Sequence, residues 1–354
     1  MQYLQGSTAL NTALARCVAA LVLSLIAPLA GALPKNAPVP GGVAVLDLGL
    51  AQSAPTARWG EQPLAVVRDN GRWFALFGIP LDTLPGEMEI SVKSGSTVTL
   101  RQVTVGIKNY PEQRLTIKDK RKVEPNPDDL ARIAKEKETT EAVKRNFAAN
   151  MPETDFLLPA TGPLSSRFGL RRIFNGLPRN PHAGLDVAVG SGAPIKAPAD
   201  GVVANTGDYF FNGNTVFIDH GQGLISAYMH MSRIDVRYGQ PVKKGEILGA
   251  VGATGRVTGP HLHWAVILNN TPVDPEILLA RPKKLKRQPK LPFTMHTVHL
   301  DLWLARRAYL FFIFRLVAAS NGRNAANREY GNKQGRNQSF HRSLLWVVTG
   351  VGLI

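Results

Sequence analysis

Thr215-Val-Phe-Ile-Asp219, the turn Gly221-Gln-Gly223 and Leu224-Ile-Ser-Ala-Tyr228 form the stretch whose reading decides the fold. Short runs of β-branched, aromatic and aliphatic residues broken by glycines read as strands joined by tight turns. The pattern repeats outward in both directions. Ile195 to Val203, Ile247 to Val251 and His261 to Leu268 are runs of the same kind, with Gly190-Ser-Gly192 and Gly252-Ala-Thr-Gly255 between them. No helical pattern follows these glycines, so they are turn residues and not a phosphate-cradling loop. The fold class expected is mainly β, with residues 155–280 forming an antiparallel, β-sandwich-like domain.

Upstream, Val43-Ala-Val-Leu, Leu64-Ala-Val-Val, Trp73-Phe-Ala-Leu-Phe and Val98 to Ile107 are strand-like, and Asp69-Asn-Gly71 is a tight-turn signal. A small, sandwich-like β module over 33–120 is expected, with a binding or spacer role. Residues 121–154 change character. Pro125-Asn-Pro-Asp128 has turn and N-cap chemistry, and Asp128 to Phe147 is rich in Ala, Lys and Glu. Its thin apolar stripe predicts a solvated helical connector in place of a coiled coil.

At the ends, Arg16, the apolar run Val18 to Leu29 and the small residues Ala30-Gly31-Ala32 predict an export signal over 1–32. The single cysteine, Cys17, lies inside it, ahead of most of the apolar run where a lipid attachment site does not fall. The mature protein is then free of thiols, compatible with the periplasm or the cell-wall space. Net charge is +16, but residues 281–354 hold 14 Lys/Arg against 2 Asp/Glu, leaving +4 on the rest. The basic balance belongs to this tail, which reads as disordered. The body lacks the basic, aromatic-interleaved face that nucleic-acid binding needs. Arg306, Arg307 and Arg315 interrupt the apolar stretch Trp303 to Ala319. No stable membrane span is therefore expected once the signal is cleaved.

Four of the eight histidines stand out: His182-Ala-Gly-Leu-Asp186, Tyr228-Met-His230 and Pro260-His-Leu-His-Trp264. Residues two or four apart on a strand share a face, so His182 with Asp186, and His261 with His263, can each aim two polar groups at one point. Imidazole and carboxylate suit Zn2+, and three such ligands plus a water make the usual open catalytic arrangement. His220, His296, His299 and His341 lack such a setting and read as scattered surface or core residues.

Ser166-Arg-Phe-Gly169, His182-Ala-Gly-Leu-Asp186, Pro198-Ala-Asp-Gly201, Ile218-Asp-His-Gly221, Tyr228-Met-His230, Val242-Lys-Lys-Gly245 and Thr258-Gly-Pro-His-Leu-His263 occur in this order. Together they resemble the catalytic domain of the lysostaphin-type, or LytM-like, zinc endopeptidases that cut peptidoglycan. The resemblance covers 155–280 and implies His182, Asp186 and His263 as zinc ligands, with His230 and His261 as the catalytic pair. It implies peptidoglycan stem peptides or crosslinks as substrate, with the bond cut left open. Trp264-Ala265 departs from the Phe-Glu type of pair familiar after the last ligand. Residues 175–180, and Tyr209 and Phe210 with Asn212-Gly-Asn214, are expected beside the groove. The β module resembles the N-terminal domains of exported members, where it would bind the cell wall or cover the groove as a latch.

Two rivals stand against this reading. A non-catalytic LytM-like activator of other cell-wall hydrolases shares the fold but typically lacks part of the metal set, and this chain keeps all five positions. A swinging-arm carrier shares the Ala197–Val203 and Val242–Leu248 half-motifs, yet the hairpin region between them holds no lysine to modify. Oligomeric state is not legible.

Overall fold

A computed structural model describes residues 33–280. The export signal expected at 1–32 and the basic tail at 281–354 lie outside the described residues. Among the described residues no helix is long and apolar enough to cross a membrane.

Six strands, β1 (Val43–Gly49), β2 (Thr56–Trp59), β3 (Gln62–Asp69), β4 (Arg72–Gly78), β5 (Gly86–Ser94) and β6 (Thr97–Val105), pair antiparallel in the order β1-β4-β3-β2-β5-β6. Asn70 and Gly71, at φ 46° and 81°, make the two-residue turn between β3 and β4. Positive φ at both positions matches the twist of the flanking strands, which is why Asn-Gly serves there. β1 and β6 end the hydrogen-bonded order, yet Ala44, Phe77, Ile90 and Val103 belong to one apolar cluster, and β1 and β6 flank one cleft. The module is thus one hydrogen-bonded path curled over its core, which gives the sandwich-like interior expected. Alternation marks an inner face but does not distinguish one bent sheet from two stacked ones.

β7 (Glu112–Leu115) leaves that sheet and pairs in parallel with β9 (Arg171–Phe174), which also pairs with β10 (Leu177–Pro178). A helix, α1 (Pro127–Lys144), follows β7. The Asn126 side chain accepts the Asp129 amide at 2.8 Å, Pro127 opens the first turn, and Asp128 and Asp129 face the positive end of the helix. The helix stops at Lys144, short of Phe147, and Asn146 next to its end donates to Asp219 Oδ2 at 2.6 Å.

The remaining strands are β8 (Leu164–Ser166), β11 (Leu185–Val187), β12 (Pro194–Lys196), β13 (Gly201–Tyr209), β14 (Gly213–Gly221), β15 (Leu224–Ile234), β16 (Pro241–Val242), β17 (Ile247–Val251), β18 (Leu262–Leu268) and β19 (Thr271–Val273). They form one antiparallel sheet along β16-β13-β14-β15-β18-β11-β8, with β17 joining β12 to β15 and β19 lying on β18. Its core holds Phe156, Leu185, Ile218, Tyr228 and Trp264, each fully buried. Burying such a side chain contributes about 1.5–3 kcal/mol. The same cluster takes in Val43, Ala65, Val67 and Leu76 of the first sheet. The module therefore docks at the C-terminal end of β18. A Cβ on Gly78 would lie 2.8 Å from the Leu268 carbonyl oxygen, and the Val66 amide donates to Gln222 Oε1 at 2.7 Å.

Candidate metal centre

Antiparallel register sets Asp186 of β11 directly opposite His263 of β18. His182 reaches them from a loop, not from a strand, so the shared-face argument made for it does not apply. Its amide donates to the Leu170 carbonyl at 2.9 Å and its carbonyl accepts from Gly169 at 2.8 Å, pinning the loop to the turn before β9. Gly184 passes beneath the His263 ring. A Cβ there would lie 2.7 Å from His263 Nε2 and 2.6 Å from the Trp264 carbonyl oxygen, so glycine is needed for close approach.

Three ligand-type atoms converge. His182 Nε2 lies 3.0 Å from Asp186 Oδ1, His263 Nδ1 lies 2.7 Å from the same oxygen, and the two nitrogens are 2.9 Å apart. His182 Nδ1–H donates to the Arg167 carbonyl at 2.8 Å, which directs the Nε2 lone pair at the cluster. Burial, set against the Asp186 carboxylate, lowers the His182 pKa to about 4, keeping the ring neutral at neutral pH. Burial alone would raise the Asp186 pKa, but the close approach of His182 and His263 to Oδ1 holds it well below the carboxylate range. Arg172 Nη2 donates to Asp186 Oδ2 at 3.2 Å and Ser166 Oγ at 3.1 Å, leaving Oδ1 to face the imidazoles. Two imidazoles and an ionised carboxylate around one point can hold a divalent cation of the zinc type.

His230 and His261 stand beside this set. His230 has φ 63°, a left-handed backbone on a non-glycine residue, and the β14–β15 register shifts between Asn214 and Val216 opposite it. Such a bulge re-aims a side chain at a modest conformational cost. His230 Nδ1–H donates to the Thr254 carbonyl at 2.8 Å, and His261 Nδ1–H to the Gly259 carbonyl at 2.9 Å. In each ring Nε2 is then the acceptor. Burial, reinforced by His263 and His261, lowers the His230 pKa to about 3. The two rings are 4.9 Å apart, and His261 Nε2 lies 3.8 Å from Asp186 Oδ1. His220 is elsewhere, a core residue bonded to Ser226 Oγ at 2.8 Å and the Asp200 carbonyl at 2.7 Å.

The cluster opens into a groove of about 490 Å³ over the sheet face that carries Phe217, Met229, Ala265 and Ile267. Ile133, Lys137, Thr140 and Lys144, one face of α1, roof it. The connector is therefore not solvated all round. Its thin stripe suffices because the stems of lysine and glutamate cover apolar surface while their charges stay wet. Of the module expected over 33–120, Leu115 and Ile117 line this groove and the six-stranded sheet does not. The connector covers the groove, with the end of the module beside it. Tyr209, Asn212 and Asn180 line it as expected. Asn175 instead bonds both backbone groups of Ile117, and Phe210 turns under Lys122 Nζ. Trp264 is fully buried and Ala265 lies on the groove side, so no carboxylate occupies the position after His263. Sequence reasoning missed Arg172, Phe174, Phe211 and Arg256, which form one wall. Arginines in hairpins read as solvated, and only the pairing of β9 with β7 turns this hairpin inward.

Residues 180–275 match Peptidase family M23, and residues 36–108 match the Peptidase family M23 N-terminal domain. A crystal structure of a protein assigned to peptidase M23 from Pseudomonas aeruginosa is 46% identical, covers 69% of this chain and 96% of its own, and superposes with a TM-score of 0.60. Peptidoglycan DD-endopeptidase ShyA of Vibrio cholerae is 37% identical over 146 residues, 41% of this chain and 34% of that protein. DD-carboxypeptidase/endopeptidase Mpg of Neisseria meningitidis is 38% identical over 125 residues, 35% of this chain and 29% of that protein. The match thus spans about a third of the length of these curated relatives. The chain belongs to peptidase family M23.

Proposed function

We propose that this M23 chain is a zinc-dependent endopeptidase that hydrolyses peptide bonds in peptidoglycan stem peptides or crosslinks, acting after export in the periplasm or at the cell wall. The observation that carries the reading is the convergence of His182 Nε2, Asp186 Oδ1 and His263 Nδ1 within 3.0 Å of one another. These three residues would hold Zn2+. When bound, the ion would supply Lewis acidity and make a coordinated water acidic near neutral pH.

The chain's own residues do the rest. His230 and His261 are the catalytic pair. Their Nδ1–H groups are anchored on main-chain carbonyls, so each presents a bare Nε2 that can take a proton from water held beside Asp186 and return it to the departing amine. Once protonated, the same Nε2–H is a donor for the oxygen that gains charge as the peptide carbon becomes tetrahedral. Arg172 holds the far oxygen of Asp186 and so sets which oxygen faces the cation. The names of the relatives support peptidoglycan as substrate.

The test is digestion of purified peptidoglycan by the zinc-loaded protein, followed by mass spectrometry of the muropeptides. Crosslinked dimers should fall and monomers rise, and chelation should stop the conversion. Stoichiometric zinc with no change in the muropeptides would overturn the enzyme reading in favour of a non-catalytic activator.

A further inference from the structure

One wall of the groove carries Arg256, a cation with no ion pair among the described residues. Arg256 is half-buried, with its guanidinium carbon 4.9 Å from the Phe174 ring centroid and 4.3 Å from that of Phe211. The two rings fix its plane and cover its faces, so its N–H edge is what remains for recognition. Of five guanidinium donors, one contact is made, Nη1 to the Lys122 carbonyl at 3.4 Å. Arg179 stands nearby and spends its bonds on the Pro178 and Val123 carbonyls at 2.9 and 2.8 Å. Arg172, 5.7 Å from the other end of the contact at Phe174, is the member of the trio with an ion pair, to Asp186. Loss of hydration at Arg256, reinforced by the like charges of Arg179 and Arg172, pushes its pKa down to about 10. Taking a cation out of water costs several kcal/mol unless it is paired. This one has no ion pair among the described residues.

We propose that Arg256, assisted by Arg179, is a subsite for a free carboxylate on the substrate peptide. It lies on the β9 side of the groove into which His182, Asp186 and His263 open. The inference rests on the hydrolase reading and narrows its substrate class. A stem peptide, which carries free carboxylates beside its crosslink, satisfies the wall. An uncharged glycine bridge leaves Arg256 half-buried without a counter-ion. Bidentate pairing of a planar guanidinium with a carboxylate supplies direction as well as charge, which a lysine at the same place does not.

The experiment uses the zinc-loaded full chain and two synthetic crosslinked peptide dimers, identical except that the free carboxylates of one are amidated. Equilibrium binding is measured by calorimetry with forms of the two dimers whose crosslinking amide is N-methylated against cleavage, and kcat/KM by chromatography with the cleavable forms, for the wild type, Arg256→Lys and Arg256→Gln. The expected wild-type preference for the carboxylate form is at least ten-fold in both measures. It should shrink in Arg256→Lys and fall to near one in Arg256→Gln, with zinc content and circular dichroism unchanged in both. Equal binding of the two dimers by the wild type, or a preference that survives in Arg256→Gln, overturns the subsite. Binding is read without turnover, so a protein that cuts neither dimer would sink the hydrolase reading and leave this test standing. If both variants misfold, the wild-type dimer pair decides alone.

Discussion

The two antiparallel sheets of this protein have similar strands and turns but opposite interiors. Between Val43 and Val105 the buried set is entirely apolar. The larger sheet buries Ser166, His182, Asp186, Thr215, Asp219, His220, Ser226 and His230. A buried polar group costs free energy unless it is hydrogen-bonded, so a cluster of them persists only where the fold supplies partners. Here main-chain carbonyls at Arg167, Thr254 and Gly259 supply them. A sheet built only for packing needs none of this. The contrast places the buried polar cluster with the second sheet and a wholly apolar interior under the first.

The contrast can be broken most severely at the converging atoms. His182→Ala or His263→Ala should abolish stoichiometric zinc, read by mass spectrometry of the metal, and lower kcat/KM by about three orders of magnitude or more. Retention of full zinc in either variant would refute the ligand set. His261→Ala sharpens the division within the site. It should keep zinc while turnover falls by roughly 10²–10⁴, and loss of metal in step with activity would reassign it as a ligand. In the first sheet the prediction reverses. Phe77→Ala, at a site 1% exposed, should cost about 3–5 kcal/mol in urea unfolding. Zinc per folded molecule should be unchanged, and a fall in zinc content would show that the two sheets are not separable in this way.

The smallest effect is on pH. Burial holds His220 neutral in the folded state, with its pKa lowered from 6.5 to about 4. The unfolded chain takes up a proton below 6.5 and the folded chain does not. Stability is therefore unaffected above that pH and declines as pH falls through the window to 4, by roughly 1.4 kcal/mol per unit. His220→Asn should make the acid limb of the stability curve shallower. An unaltered slope would mean that His220 takes up its proton without unfolding.

Much of the architecture was legible because burial on one face imposes alternation. β1, β3 and β4 carry continuous apolar runs, and Asn70-Gly71 marks the β3–β4 hairpin, whereas in β6 only Val103 and Val105 are buried. β5 was not legible, because Glu87, Glu89 and Lys93 face solvent and leave two buried positions, Ile90 and Val92, to speak for it. β7 was not either. Glu112-Gln-Arg-Leu115 has no strand signature, and its extended shape comes from pairing with β9. The helix was legible from its cap and composition, but its lower face was not, since the groove that makes that face matter is assembled from β14, β15 and β18.

What the sequence determined by itself is local: the strand-and-turn class, the helix start at Asn126-Pro127, and the histidine and aspartate spacings that single out five residues. Spacing along the chain can show that two side chains share a strand face. It cannot show that His182 arrives from a loop, that a bulge turns His230 inward, or that Arg172 and Arg256 gather on one wall around Phe174. Those arrangements were decided by tertiary structure. They depend on register between strands distant in sequence and on the closing of a hairpin against the connector, and the free energy that holds them is shared among contacts no single segment contains.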